Sequence, residues 1–143
     1  MRVSAKAEYA CVAMVELAAS FSAGQPVSIK AIADGHGLSS RFLIQVMLQL
    51  KGAGLVASIR GQGGGYQLAR SPETIQLAEI INTIDRSPEA SSAVSSLPSS
   101  PVSESLQQVW KEVNLAEQHI LQKTTLADLA RRVQEKGVAS YQI

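Results

Sequence analysis

Apolar residues in the first half of the chain recur at helical spacing and then switch to alternation. Ala7, Ala10, Met14, Leu17 and Phe21 fall at three- and four-residue steps, which predicts an amphipathic helix from Ser4 to about Ser22, ended by Gly24-Gln25-Pro26. Ser28 is placed to cap a short helix to about Asp34, with Ile29, Ile32 and Ala33 inward and Lys30 outward. "DGHGL" turns the chain. Ser39 then caps a longer helix to about Gly52, where Leu43, Val46, Met47 and Leu50 occupy i, i+3, i+4 and i+7. Beyond Gly54 the period shortens to that of a strand: Leu55–Ile59 leads into "RGQGGG", and Tyr66-Gln67-Leu68-Ala69 leads out of it.

The glycine cluster admits two readings. A phosphate-binding loop would open into a helix, whose N-terminus supplies free N–H groups for the anion, and would carry Gly-Lys-Ser/Thr. Here a strand follows and that triplet is absent, so the cluster reads as the tip of a β-hairpin. Helix, glycine-containing turn, capped helix and hairpin together predict a winged helix-turn-helix unit. The helix over 39–52 would be its recognition helix, turning Ser40, Arg41, Gln45, Leu48 and Gln49 away from the buried stripe, with Ser39 at its cap. The wing would bring Arg60 to the minor groove or the phosphates, with Gly61, Gly63, Gly64 and Gly65 allowing close approach and Tyr66 opening the return strand.

The second half is organised differently. Eight of the 17 residues from Ser87 to Ser103 are serine and three are proline, which predicts a mobile linker. From about Glu104 to Gln122, Leu106, Val109, Trp110, Val113, Ala116, Ile120 and Leu121 form one apolar stripe, as expected of a dimerisation helix or of a helix folded back on its own domain. Thr125 and Asp128 make a capping box for a last helix to about Glu135. The expected fold is therefore mainly α with a small β-hairpin: a winged helix-turn-helix domain over 1–86, a linker over 87–103, and a dimerisation helix with a C-terminal helix over 104–143.

Charge adds a contrast that the net +1 hides, since residues 1–70 carry +4 and residues 71–143 carry −3. The basic half suits a polyanion. Lys6, Glu8 and Glu16 interrupt the N-terminal apolar run at helical spacing, so it reads as a core helix of a cytoplasmic protein, and no membrane span is expected. A single cysteine, Cys11, permits no internal disulfide and reads as a buried small residue. His36 and His119 stand far apart, no metal site is expected, and no nucleophile, base and carboxylate fall into a catalytic pattern.

"MRVSAKAEYACVAMVELA", "SIKAIADGHGLSSRFLIQVMLQLKGAGLV" and "IRGQGGGYQLARSPETIQLAEIINTID" resemble the Rrf-two family of bacterial winged-helix transcriptional regulators, which includes repressors. The resemblance covers residues 1–86 and continues more weakly through 103–135. It implies base contacts from Gln45 and its neighbours, minor-groove entry by Arg60, and a homodimer joined through the long helix. Ile44 departs from the family's iron–sulfur regulator, which carries a glutamate there that discriminates between sites, so operator sequence does not transfer. Cluster-binding members place three cysteines in the segment corresponding to 86–110; this chain has none there, with Glu104 and Gln107 near the last cysteine and the histidine of that pattern. The expectation is thus a homodimeric, cofactor-free, sequence-specific regulator of double-stranded DNA with a pseudo-palindromic operator. A protein-interaction module acting through an enzyme partner remains the alternative, and a protein partner or small-molecule effector stays open.

Overall fold

The structure, a computed structural model, describes residues 3–85 and 97–141. Its first three helices start where serine side chains satisfy free N–H groups. Ser4 accepts from Ala7 and opens α1 (Ala5–Ala19), Ser28 accepts from Ala31 and opens α2 (Ile29–His36), and Ser39 accepts from Phe42 and opens α3 (Ser40–Gly52). α2 ends because Gly37 adopts a left-handed conformation, φ 64°, that returns its N–H to the Ala33 carbonyl.

β1 (Val56–Ile59) and β2 (Gly65–Leu68) form the antiparallel hairpin, in register from Val56 opposite Leu68 to Ile59 opposite Gly65. The outer edge of β2 is occupied as well. Val27 and Tyr66 exchange both backbone hydrogen bonds, at 2.9 and 2.8 Å, so the segment entering α2 seals the hairpin onto the domain. A 3-10 turn at Pro72–Thr74 leads to α4 (Leu77–Asp85), an element for which the sequence carried no stated expectation. Its Ala78 and Ile80 are buried, and Asp85 accepts hydrogen bonds from both the N–H and the hydroxyl of Ser4, closing α4 onto the α1 N-terminus.

The core gathers around α1 and α3. Met14, Leu17, Ile32, Leu55, Val56, Ile75 and Ile80 are buried there, and the four expected α3 positions, Leu43, Val46, Met47 and Leu50, are fully so. Burial of each such side chain is worth about 1.5–3 kcal/mol, which fixes the rotation of α3 about its axis and hence the face it turns outward.

α5 (Pro101–Lys123) starts three residues before the expected position at 104. The end of the expected linker is a helix start: Ser100 and Ser103 accept from each other's backbone N–H at 3.1 and 2.9 Å, the buried Ser103 hydroxyl donates to the Pro98 carbonyl at 2.9 Å, and Pro101 takes the first helical position. The rest of that expected linker, 87–96, lies outside the described residues. α6 (Leu126–Tyr141) opens with the Thr125–Asp128 capping box, at 3.0 and 3.2 Å, and runs beyond the expected Glu135. Two backbone hydrogen bonds, Leu77 to Thr124 at 2.9 Å and Leu126 to Ile75 at 3.0 Å, fasten the α5–α6 corner to the winged unit, and α6 lies along α1. α5 itself buries only Ser103 and Leu121. No helix among the described residues is long and apolar enough to cross a membrane.

Candidate nucleic-acid interface

With the Leu43–Leu50 stripe inward, α3 presents Arg41, Gln45 and Leu48 directly outward, with Ser40 and Ile44 on one flank and Gln49 on the other; all six are exposed. The side chains of Arg41, Gln45 and Gln49 make no hydrogen bond or ion pair with the other described residues, so their donors are available. Ser39 sits at the cap with its oxygen turned to the Phe42 N–H. Two contacts set the orientation of this helix. The Phe42 ring meets Tyr9 of α1 edge-on with centroids 5.9 Å apart, and Lys51 donates from Nζ to the Ser58 hydroxyl of β1 at 2.8 Å, tying the end of α3 to the wing. Lys51 was not among the expected site residues, and no periodicity marks it.

At the wing tip the Gly64 N–H donates to the Gly61 carbonyl at 3.0 Å, closing a turn in which Gly61 and Gly63 hold φ of 103° and 76°. Both have open space where a side chain would stand. Gly64 and Gly65 differ, because each is also packed against backbone of the domain itself. A Cβ on Gly64 would strike the Ile59 carbonyl oxygen, and one on Gly65 the Val27 carbonyl, so these two glycines are required by close packing inside the protein. Tyr66 is half-buried against the core. Arg60 is exposed with no partner among the described residues.

The segment that forms α3 and the wing is one-sided in charge. No carboxylate occurs between Asp34 and Glu73, whereas Arg41, Lys51, Arg60 and Arg70 all do. Arg70 is held back by the domain, donating to the Thr74 carbonyl at 2.7 Å and to Glu79 at 2.9 Å. Partial burial would raise the Glu79 carboxyl, but the Arg70 hydrogen bond, the Gln76 N–H and the Arg70 charge outweigh it and hold the carboxyl below its usual range. An exposed helix face with free guanidinium and amide donors, beside a basic hairpin, can hydrogen-bond base edges and phosphates together.

The family described as "Iron-dependent Transcriptional regulator", Rrf2, matches residues 3–132. A helix-turn-helix-type transcriptional regulator of Mycobacterium tuberculosis is 40% identical over 133 residues, covering 91% of this chain and 81% of the relative. The transcriptional regulator CymR of Bacillus subtilis is 35% identical over 136 residues, covering 91% and 90%. The solved structure of that CymR, described as the global cysteine regulator of B. subtilis, superposes with a TM-score of 0.81 at 34% identity over 92% of this chain and 98% of its own. T. potens IscR superposes at 0.75 with 37% identity over 95% and 90%. These relatives are named as regulators, not enzymes.

The iron in the family description does not fit the donors of this chain. A cluster needs several thiolates, and there is one cysteine, half-buried in α1, whose thiol is pushed up to about 11 by burial first and then by Asp85 and Glu8. Among the described residues no three His, Cys, Asp or Glu side chains converge, and segment 86–96, outside them, contains neither Cys nor His. Match to the family over nearly the whole chain, together with the fold of its solved members, makes this protein a member of the Rrf2 (Rrf-two) family of winged-helix transcriptional regulators.

Proposed function

We propose that this DNA-binding regulator acts as a homodimer on a pseudo-palindromic operator without an iron–sulfur cluster. α3 enters the major groove and the 60–65 wing lies on the adjacent minor groove or phosphates. The observation that carries this reading is a segment without carboxylates, from Gly35 to Pro72, in which the side chains of Arg41, Gln45, Gln49 and Arg60 have no partner among the described residues. Dimerisation is supported by the outer face of α5, where Leu106, Val109, Trp110, Val113, Ala116 and Ile120 are exposed although mostly apolar; a second copy of the same helix would remove them from water. Two-fold symmetry then sets the recognition helices about 34 Å apart, one DNA turn. Its place of action is the bacterial cytoplasm, where the chromosome is.

Selection of bound sequences from a random duplex pool, followed by sedimentation of the complex, tests the reading. It predicts two inverted half-sites centred about one turn apart and two chains per duplex. A single half-site with one chain per duplex would contradict it. A stoichiometric co-purifying protein, with no DNA retained at low salt, would favour the interaction-module alternative.

A further inference from the structure

We propose that Ile44 and Leu48 read the C5-methyl groups of thymine in the major groove, making A·T pairs a fixed part of each operator half-site. This rests on the assignment of α3 as recognition helix. The two side chains are 47% and 58% exposed, lie one helical turn apart, and adjoin Arg41 and Gln45 on the same outward surface. Phe42, the other exposed apolar residue of α3, already meets Tyr9, whereas Ile44 and Leu48 are left exposed by the described residues.

Two further observations choose the occupant. The charged residues of the segment between Asp34 and Glu73 are all cationic, Arg41, Lys51, Arg60 and Arg70, which suits a polyanion that carries apolar groups. In the major groove that apolar group is the thymine methyl, the natural counterpart of an aliphatic side chain. The base preferences also divide cleanly by chemistry. Gln45 and Gln49 can each pair with adenine N6 and N7, Arg41 can pair with guanine O6 and N7, and α3 offers no carboxylate to accept from cytosine N4. Glutamine on adenine with isoleucine or leucine on the thymine of the same or the next pair reads A·T from both strands.

The test replaces each thymine of a selected operator by uracil, which deletes the methyl and keeps the pairing. Affinity is measured by fluorescence anisotropy at fixed salt for the native chain, Ile44→Ala and Leu48→Ala. Both positions are exposed, so the variants should melt as the native chain does. The expected result is a loss of about three- to fivefold at one or two thymines per half-site, a loss that vanishes when the matching side chain is alanine. Uracil costing less than twofold everywhere, on an operator that still binds, would overturn the methyl readout and leave the regulator reading intact. Failure of the selection to enrich any sequence would overturn the recognition-helix assignment and the readout with it. Loss of self-association in Ile44→Ala or Leu48→Ala, with uracil sensitivity unchanged, would assign this face to protein contact instead.

Discussion

Gly65 lies so close to the Val27–Ser28 backbone that a methyl group has nowhere to go. Gly65→Ala should therefore lower stability by about 1–3 kcal/mol and release the wing from the segment before α2, whereas Gln62→Ala at the exposed tip should leave the melting temperature unchanged. Equal melting of both variants would contradict the assignment of Gly65 to internal packing. Cys11 yields a second expectation. With its thiol raised from 9.0 to about 11, the folded chain at pH 8 holds about a hundredfold less thiolate than the unfolded chain. Iodoacetamide should thus label the native protein far more slowly than protein in urea, and equal rates would contradict the burial. A raised thiol favours folding below the ordinary thiol value, and that contribution is lost as pH climbs from 9.0 toward 11. Glu79 has the opposite sign: its lowered carboxyl favours folding above the ordinary carboxylate range and loses that effect as pH falls through the folded value. The Arg70–Glu79 pair is more than a third exposed, so Arg70→Ala should cost about 0.5 kcal/mol or less at pH 7 and flatten the acid side of the stability profile. At this scale the sequence was legible where a residue's role is local, as for the caps Ser28 and Ser39 and the turn glycines. The packing roles of Gly64, Gly65 and Tyr66 were not legible, because their neighbours, Ile59 across the turn and Val27 some 40 positions earlier, come from pairing that composition does not encode.

α3 was readable as an element because a helix that buries one stripe must repeat near 3.6 residues, and Leu43, Val46, Met47 and Leu50 do so without exception. The start of α5 was not. Serine and proline dominate the approach to it, and the same residues that suggest a linker also make a capping box when they fall at Ser100, Pro101 and Ser103. α4 is short, and its two buried residues, Ala78 and Ile80, make too brief a pattern to stand out from the chain around it. For α5 the testable feature is its exposed apolar face. Trp110 is 59% exposed in the single chain and is the only tryptophan. If α5 joins two copies, Trp110 emission should shift to the blue as protein concentration rises, and Trp110→Ala should weaken association by about 2 kcal/mol or more. Identical sedimentation of the variant and the native chain would remove α5 from the interface.

Across the whole molecule, the basic winged unit and the acidic C-terminal half are one folded body rather than separate parts, since α6 lies along α1 and the α5–α6 corner is hydrogen-bonded to residues 75–77. If α5 joins two copies, as proposed, the α5–α6 corner and α6 on α1 would hold each α3 at a set distance from its mate, as a fixed half-site spacing demands. The central claim, that α3 and the wing together hold DNA, is tested most directly by fluorescence anisotropy against duplex from upstream of the protein's own gene, beside a scrambled duplex, at two salt concentrations, with Arg60→Ala in parallel. The account predicts specific binding by the native chain that weakens steeply with salt and a loss of about 1 kcal/mol or more in Arg60→Ala. Unchanged affinity of Arg60→Ala at fixed salt would contradict it.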